Sequence, residues 1–243
     1  MDIRFEGKRA LVTGAGKGIG REIVKLLTES GAEVVAISRT QADLDSLKAE
    51  TGCTIILADI TSAGAAKQAA EAAGPIDLLV NNAGIALLGP FLEATIEDFD
   101  ETMAVNLRSA FIIGQIVAKG MVEPGKGGAI VNVSSQAGIV AVQDHTAYCV
   151  SKAGLDHLTR IMALELGPHQ IRVNSVNPTV ILTPMGEKVW GDPIKGDPMR
   201  AKIPLGRFGY PINVAQTVAY LLSDQADMIT GIIMPIDGGF LVA

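Results

Sequence analysis

Two residues four apart in the run Tyr148-Cys149-Val150-Ser151-Lys152 have the side chains needed for acid–base work at a carbonyl. A free phenol, with a pKa near ~10, is a poor proton donor or acceptor at neutral pH. A neighbouring ammonium stabilises the phenolate and brings its pKa toward the working range. At i and i+4 both side chains lie on one helix face, so the pair can protonate a carbonyl oxygen while hydride reaches carbon. Alone, this spacing is common among incidental helix neighbours.

Its company gives it weight. Asn81-Asn82-Ala83-Gly84 follows a short apolar run, and Asn132-Val133-Ser134-Ser135 ends another, with Ser135 thirteen residues before Tyr148. Asn177-Pro178-Thr179-Val180-Ile181-Leu182-Thr183 follows a third, and Asn106 lies within a long helical stretch.

The elements that must position these residues follow from periodicity. Short apolar runs at 9–13, 33–38, 54–58, 77–80, 129–134, 172–176 and 232–235 alternate with longer stretches of helical spacing, among them 19–30, 41–50, 96–121 and 147–166. Strands alternating with helices predict βαβ units and a parallel sheet covered on both faces. Right-handed crossovers leave a single-domain α/β fold, a doubly wound parallel sheet of Rossmann type, as the simplest solution. The companion motifs of the Tyr148–Lys152 pair, all except Asn106, then fall at the C-terminal ends of strands, where such sheets bind ligands.

The first strand ends in Thr13-Gly14-Ala15-Gly16-Lys17-Gly18-Ile19-Gly20, and helical spacing begins at once. Glycines allow a tight turn and close approach of a pyrophosphate to the unpaired N–H groups of a helix start. The second strand ends Ile37-Ser38-Arg39-Thr40, without the acid that binds ribose hydroxyls in NAD sites. Arg39 can pair bidentately with a 2′-phosphate, Thr40 can donate a hydroxyl, and Lys17 is a second cation. NADPH is therefore the expected cofactor; the competing reading makes Arg39 and Lys17 solvated surface charges. The residues expected to face it are Gly14, Lys17, Gly18, Ile19, Gly20, Ser38, Arg39 and Thr40, with Asn82, Val180 and Ile181 on the same sheet edge.

The bulk numbers agree. The chain has 243 residues, 48% hydrophobic but only 4% aromatic, so its core must be aliphatic. A net charge of −6 without a basic run argues against a nucleic-acid or anionic-membrane partner. Two isolated cysteines, Cys53 and Cys149, suggest free thiols in a reducing compartment. The mixed-charge start lacks a signal-peptide pattern, no run has transmembrane length, and no metal site is expected; a soluble cytoplasmic protein is the expectation.

Together the motifs resemble the short-chain dehydrogenase/reductase family over residues 8–239. The resemblance implies that Tyr148 is the acid–base, that Lys152 lowers its pKa and binds the nicotinamide ribose, and that Ser135 hydrogen-bonds the substrate oxygen. Ser134 is the rival, disfavoured by its spacing to Tyr148. It further implies that Asn106 holds a water in a proton relay to Lys152, that Asp59 lies on the adenine side, and that Thr183 meets the carboxamide. At finer grain, Ser38–Leu44, Ser135-Gln136, Ala163–His169, Asn177–Val180 and Ile203–Gly206 are similar to the L-xylulose (dicarbonyl) reductases. That subgroup implies NADPH-dependent homotetramers reducing L-xylulose to xylitol and α-dicarbonyls such as diacetyl. Gly84 departs from the alanine of its mammalian members.

Substrate contacts implied by this subgroup are Ser135, Gln136, Val142, His145 and Trp190. His145 has a bland alternative as a solvent-facing loop residue, and Trp190 as a packing staple. Trp190 lies in a stretch at 183–211 rich in proline and glycine, which rules out one continuous helix and predicts either a substrate lid or a surface excursion. His169, after Gly167-Pro168, is expected to cap a helix end. Two other functions stay open: a short-chain reductase for 3-oxoacyl thioesters or bulkier ketones, and a non-catalytic nucleotide-binding scaffold.

Overall fold

Alternating aliphatic residues on the strands point to both faces of one sheet, and the two sets form separate cores. Leu11, Val35, Leu79 and Ile130 belong to one, Val12, Val34, Val80 and Val131 to the other. A sheet buried on both faces demands this aliphatic content. The computed structural model describes residues 3–123 and 125–243. Its seven strands are β1 (Arg9–Thr13), β2 (Glu33–Ser38), β3 (Thr54–Leu57), β4 (Leu78–Asn81), β5 (Gly128–Val133), β6 (Ile171–Pro178) and β7 (Ile233–Ile236). All pairings are parallel, in the order β3-β2-β1-β4-β5-β6-β7. The chain leaves β1 in one direction for β2 and β3, and in the other for β4 onward. The switch between β1 and β4 opens a crevice at their C-terminal ends.

Helices α1 (Gly18–Glu29) and α9 (Pro211–Leu222) pack together on one face; α3 (Ala63–Ala72), α5 (Ser109–Val122) and α6 (Thr146–Leu166) cover the other. α1 buries Ile23, Val24 and Leu27 on one stripe, the i, i+1, i+4 pattern of a core-facing helix. Helix α2 (Gln41–Thr51) ends at Gly52, whose positive φ of 73° forms the left-handed cap.

Two expectations need correction. The long helix expected over 96–121 is α4 (Ile96–Met103) and α5 joined by a π-helical turn, Ala104–Arg108. Ala104, Val105 and Asn106 are consecutively buried there, which a regular helix face does not permit. His169 does not cap: it ends a short 3-10 turn and is exposed, while Gln170, at φ 58°, takes the left-handed position. The proline-rich stretch holds two short helices, α7 (Pro184–Trp190) and α8 (Pro193–Arg200), each with proline in its first turn.

Candidate active site

The glycine turn is shaped by close packing. Gly14 has φ 63°, and a Cβ there would lie 2.7 Å from the Ala83 Cα. At Gly20 a Cβ would run into the Gly14 carbonyl oxygen and the Asn82 amide. Asn82, just past β4, donates to the Thr13 carbonyl (3.0 Å) and the Gly14 carbonyl (3.1 Å), and the Thr13 hydroxyl accepts from the Asn82 and Ala83 amides. Lys17, at the N-cap of α1, makes no side-chain cap bond, and no acid sits in the first turn. The start of α1 therefore keeps its N–H donors and positive dipole end for an anion. Across the crevice, Thr183 lies 3.0 Å from where a Gly18 Cβ would be. These features fit a dinucleotide pyrophosphate. Ile181 and Val180 line the same edge, their segment held by hydrogen bonds to Gly209.

At the end of β2, Arg39 and Thr40 are exposed and Ser38 is half-buried. Asp59, exposed beyond β3, is held below the usual carboxylate range first by the Thr61 side chain and then by the Thr61 amide, which donates to it at 3.0 Å. Arg39 adds a smaller charge effect in the same direction. Although the strand end itself carries no acid, Asp43 in the first turn of α2 pairs with Lys17 at 3.1 Å. A 2′-phosphate on Lys17 would thus have a carboxylate for a neighbour.

Tyr148, Lys152 and Asp156 stand at successive four-residue intervals along α6. Tyr148 faces Ser135, which acts to lower its pKa, and Ser135 Oγ accepts from the Ala137 amide at 3.1 Å. Ser134 points elsewhere, donating to the Lys152 carbonyl. Lys152 is 3% exposed; its Nζ donates to the Val133 carbonyl at 2.8 Å and lies 5.8 Å from the Tyr148 ring centroid. Burial pushes the Lys152 pKa down to about 8, partly opposed by Asp156. The expected lowering of the Tyr148 pKa is not found. Burial raises it, the Ser135 hydrogen bond opposes this, and Lys152 spends its hydrogen bond on backbone.

Asn106, 1% exposed, uses its whole carboxamide: Oδ1 accepts from the Ile85 amide at 2.8 Å, and Nδ2 donates to the Ile85 carbonyl and to Ser151 Oγ. A Cβ on Gly84 would lie 3.5 Å from both Asn106 Oδ1 and Lys152 Nζ, so these two atoms flank one point.

Of the substrate-side set, Gln136 is buried beside Ser135 with its Oε1 unpartnered. His145, at the N-cap of α6, meets Tyr148 edge-on with ring centroids 6.2 Å apart, and its amide donates to the Val142 carbonyl. Trp190 ends α7; the hydrogen bonds and ring contacts joining Ser135, Tyr148 and His145 among the described residues do not extend to it. Sequence reasoning missed Asp43 and Asp156. Asp43 carried a signal, since it falls in the first turn after Arg39-Thr40; a lone carboxylate inside a helix carries none.

A family model described as Enoyl-(Acyl carrier protein) reductase matches residues 14–241. The chain is 55% identical over 242 residues to an L-xylulose reductase of Bos taurus, covering 99% of each. It is 47% identical over 244 residues to Carbonyl reductase [NADPH] 2 of Sus scrofa, covering all of both. Among solved structures, a putative 2-deoxy-D-gluconate 3-dehydrogenase from Agrobacterium tumefaciens with bound NADP superposes with a TM-score of 0.93 at 34% identity, covering 100% of this chain and 99% of the other.

Proposed function

This chain belongs to the short-chain dehydrogenase/reductase family of enzymes, and from that membership we propose that it reduces small carbonyls with NADPH, L-xylulose and α-dicarbonyls such as diacetyl among them. The observation that carries the reading is the grouping of Ser135, Tyr148 and Lys152, with Lys152 Nζ 5.8 Å from the Tyr148 ring centroid and one helical turn on. NADPH, when bound, supplies the hydride. The glycine turn and the start of α1 hold its pyrophosphate, Thr183 and the segment from Val180 contact its nicotinamide end, Arg39, Thr40 and Lys17 hold the 2′-phosphate, and Asp59 lies on the adenine side.

Within the chain, Ser135 hydrogen-bonds the substrate oxygen and so places it beside the Tyr148 hydroxyl. Tyr148 gives its proton to that oxygen as negative charge develops there. Lys152, as a cation, stabilises the phenolate left behind. Asn106 holds the loop at Ile85 beside Lys152, where a water can return the proton. The unpartnered Gln136 Oε1, with His145 and Val142, suits a small polar substrate, and Trp190 with the 183–211 stretch forms the lid.

The same reading makes the protein a cytoplasmic homotetramer, which light scattering on a sizing column checks. No helix among the described residues is long and apolar enough to cross a membrane. NADPH oxidation with diacetyl and with L-xylulose, in wild type and Tyr148→Phe, tests the activity. Turnover in wild type that falls by about 10³-fold or more in Tyr148→Phe is expected. Selective turnover of 3-oxoacyl thioesters would move the substrate to another branch of the family.

A further inference from the structure

The chemistry above leaves one buried carboxylate unused. Asp156, 3% exposed, lies one turn beyond Lys152 on α6. Its Oδ1 accepts from Ser175 Oγ at 2.9 Å and its Oδ2 from Asn177 Nδ2 at 2.7 Å. The other hydrogen of that Asn177 nitrogen goes to the Ser135 carbonyl at 2.8 Å. Gly138, in the turn after Ser135, closes over the group: a Cβ there would lie 2.5 Å from Asp156 Oδ2. One carboxylate thus joins α6, the end of β6 and the loop that carries Ser135.

We propose that Asp156 is a positioning residue: through Asn177 it fixes the Ser135 peptide against Tyr148, and its negative charge, facing Lys152 across one helical turn, keeps that lysine a cation. The proposal rests on the hydride-transfer reading for its catalytic consequence, but not for its structural one.

The partners argue for the ionised form. The Asn177 amide donates to one of its oxygens and the Ser175 hydroxyl to the other, so a carboxylate is the species they fit. Burial raises its pKa while these hydrogen bonds and Lys152 oppose the rise. The groups facing it from β6 and from the loop after β5 are uncharged, which leaves Lys152 as the charged group acting on it. Removing a buried charge from a lysine already held near about 8 lets burial lower it further. Less of Lys152 is then cationic when Tyr148 needs support.

The test is Asp156→Asn, with Asp156→Ser as a second neutral replacement whose smaller side chain leaves room for water on Asn177. The Lys152 side-chain nitrogen is followed by 15N NMR against pH, assigned by its loss in Lys152→Met. This arm needs no substrate, so it decides the role of Asp156 even if wild type reduces neither L-xylulose nor diacetyl, a result that would instead overturn the proposed function. In whichever variant folds, the Lys152 titration should move down by about one pH unit. With a turned-over carbonyl, kcat should fall about tenfold or more, KM should change less than about threefold, and the alkaline limb of kcat should shift to lower pH. A folded variant with an unmoved Lys152 titration overturns the proposal. So does one that keeps the wild-type kcat and pH profile and loses only thermal stability.

Discussion

The side-chain nitrogen of Asn82 donates to the Gly14 carbonyl at 3.1 Å, so the strand after the topological switch holds the turn that begins the crevice. Its other hydrogen goes to the Thr13 carbonyl. Asn82→Ala leaves both oxygens to water and loosens the turn from β4. A stability loss of about 1–3 kcal/mol is expected. Affinity for NADPH should fall about tenfold, read by quenching of intrinsic fluorescence. Unchanged affinity would mean the turn keeps its shape without the clamp.

Neighbouring glycines should differ sharply in tolerance. A Cβ at Gly84 meets Asn106 Oδ1 and Lys152 Nζ at ordinary contact distance, 3.5 Å, whereas one at Gly20 meets the Gly14 carbonyl oxygen head-on. Gly84→Ala should keep kcat within about twofold and stability within about 0.5 kcal/mol. Gly20→Ala should abolish cofactor binding or folding. Calorimetry and NADPH titration on the two variants decide between them.

Lys152 makes stability depend on pH in a defined direction. Its folded pKa of about 8 lies below the ordinary 10.5, so the unfolded chain binds the proton more tightly. The cost of burying the cation is fully present below about 8 and is relieved as pH rises from there toward 10.5. Lys152→Met removes this cost. Its melting temperature relative to wild type should therefore be most favourable below the folded pKa and decline across that window. A difference independent of pH would show that Lys152 binds its proton equally tightly in the folded and unfolded chain.

Cofactor choice should move in opposite senses at two residues. Arg39→Ala removes a partner for the 2′-phosphate and should lower the NADPH-over-NADH preference in kcat/KM by about tenfold or more. Asp43→Asn removes the carboxylate that holds Lys17 at 3.1 Å, freeing that cation, and should raise the preference by a few-fold. Steady-state kinetics with both cofactors reads each change; equal shifts for NADPH and NADH would place neither residue at the phosphate.

The end of α7 supplies a substrate-side prediction. Trp190→Ala should raise KM for L-xylulose and diacetyl more than it lowers kcat with either. An unchanged KM assigns Trp190 to packing of α7 alone.

Legibility from sequence followed the strength of the physical signal. All seven strands stood out, within two residues at either end, because the inner strands are buried on both faces and rich in aliphatic residues, and the edge strands β3 and β7 carry short apolar runs of their own. Helix α3, with the sequence AGAAKQAAEA, offered no large apolar residues and hence no periodicity to read. The glycine turn and the set Asn106, Ser135, Tyr148 and Lys152 were legible because each motif has local spacing. Asp156 and its bonds to Ser175 and Asn177 were not, since they join residues about twenty positions apart. The Tyr148 pKa departs from the expectation for a related reason: spacing places the ammonium on the same face but does not reveal the desolvation of the half-buried phenol.

The π turn at Ala104–Arg108 has a consequence for how this chain can change length. A single residue deleted from it would join α4 and α5 as one regular helix with the faces of both nearly kept, because five residues in a π turn cover about the angle that four cover in an α-helix. Asn106, inside the turn, would swing away from Ile85 and Ser151 while the apolar face of α5 stayed in the core. A shortening that the core would accept is therefore closed to this chain by its buried asparagine. Chains that keep Asn106 in this place must inherit the irregularity along with the residue.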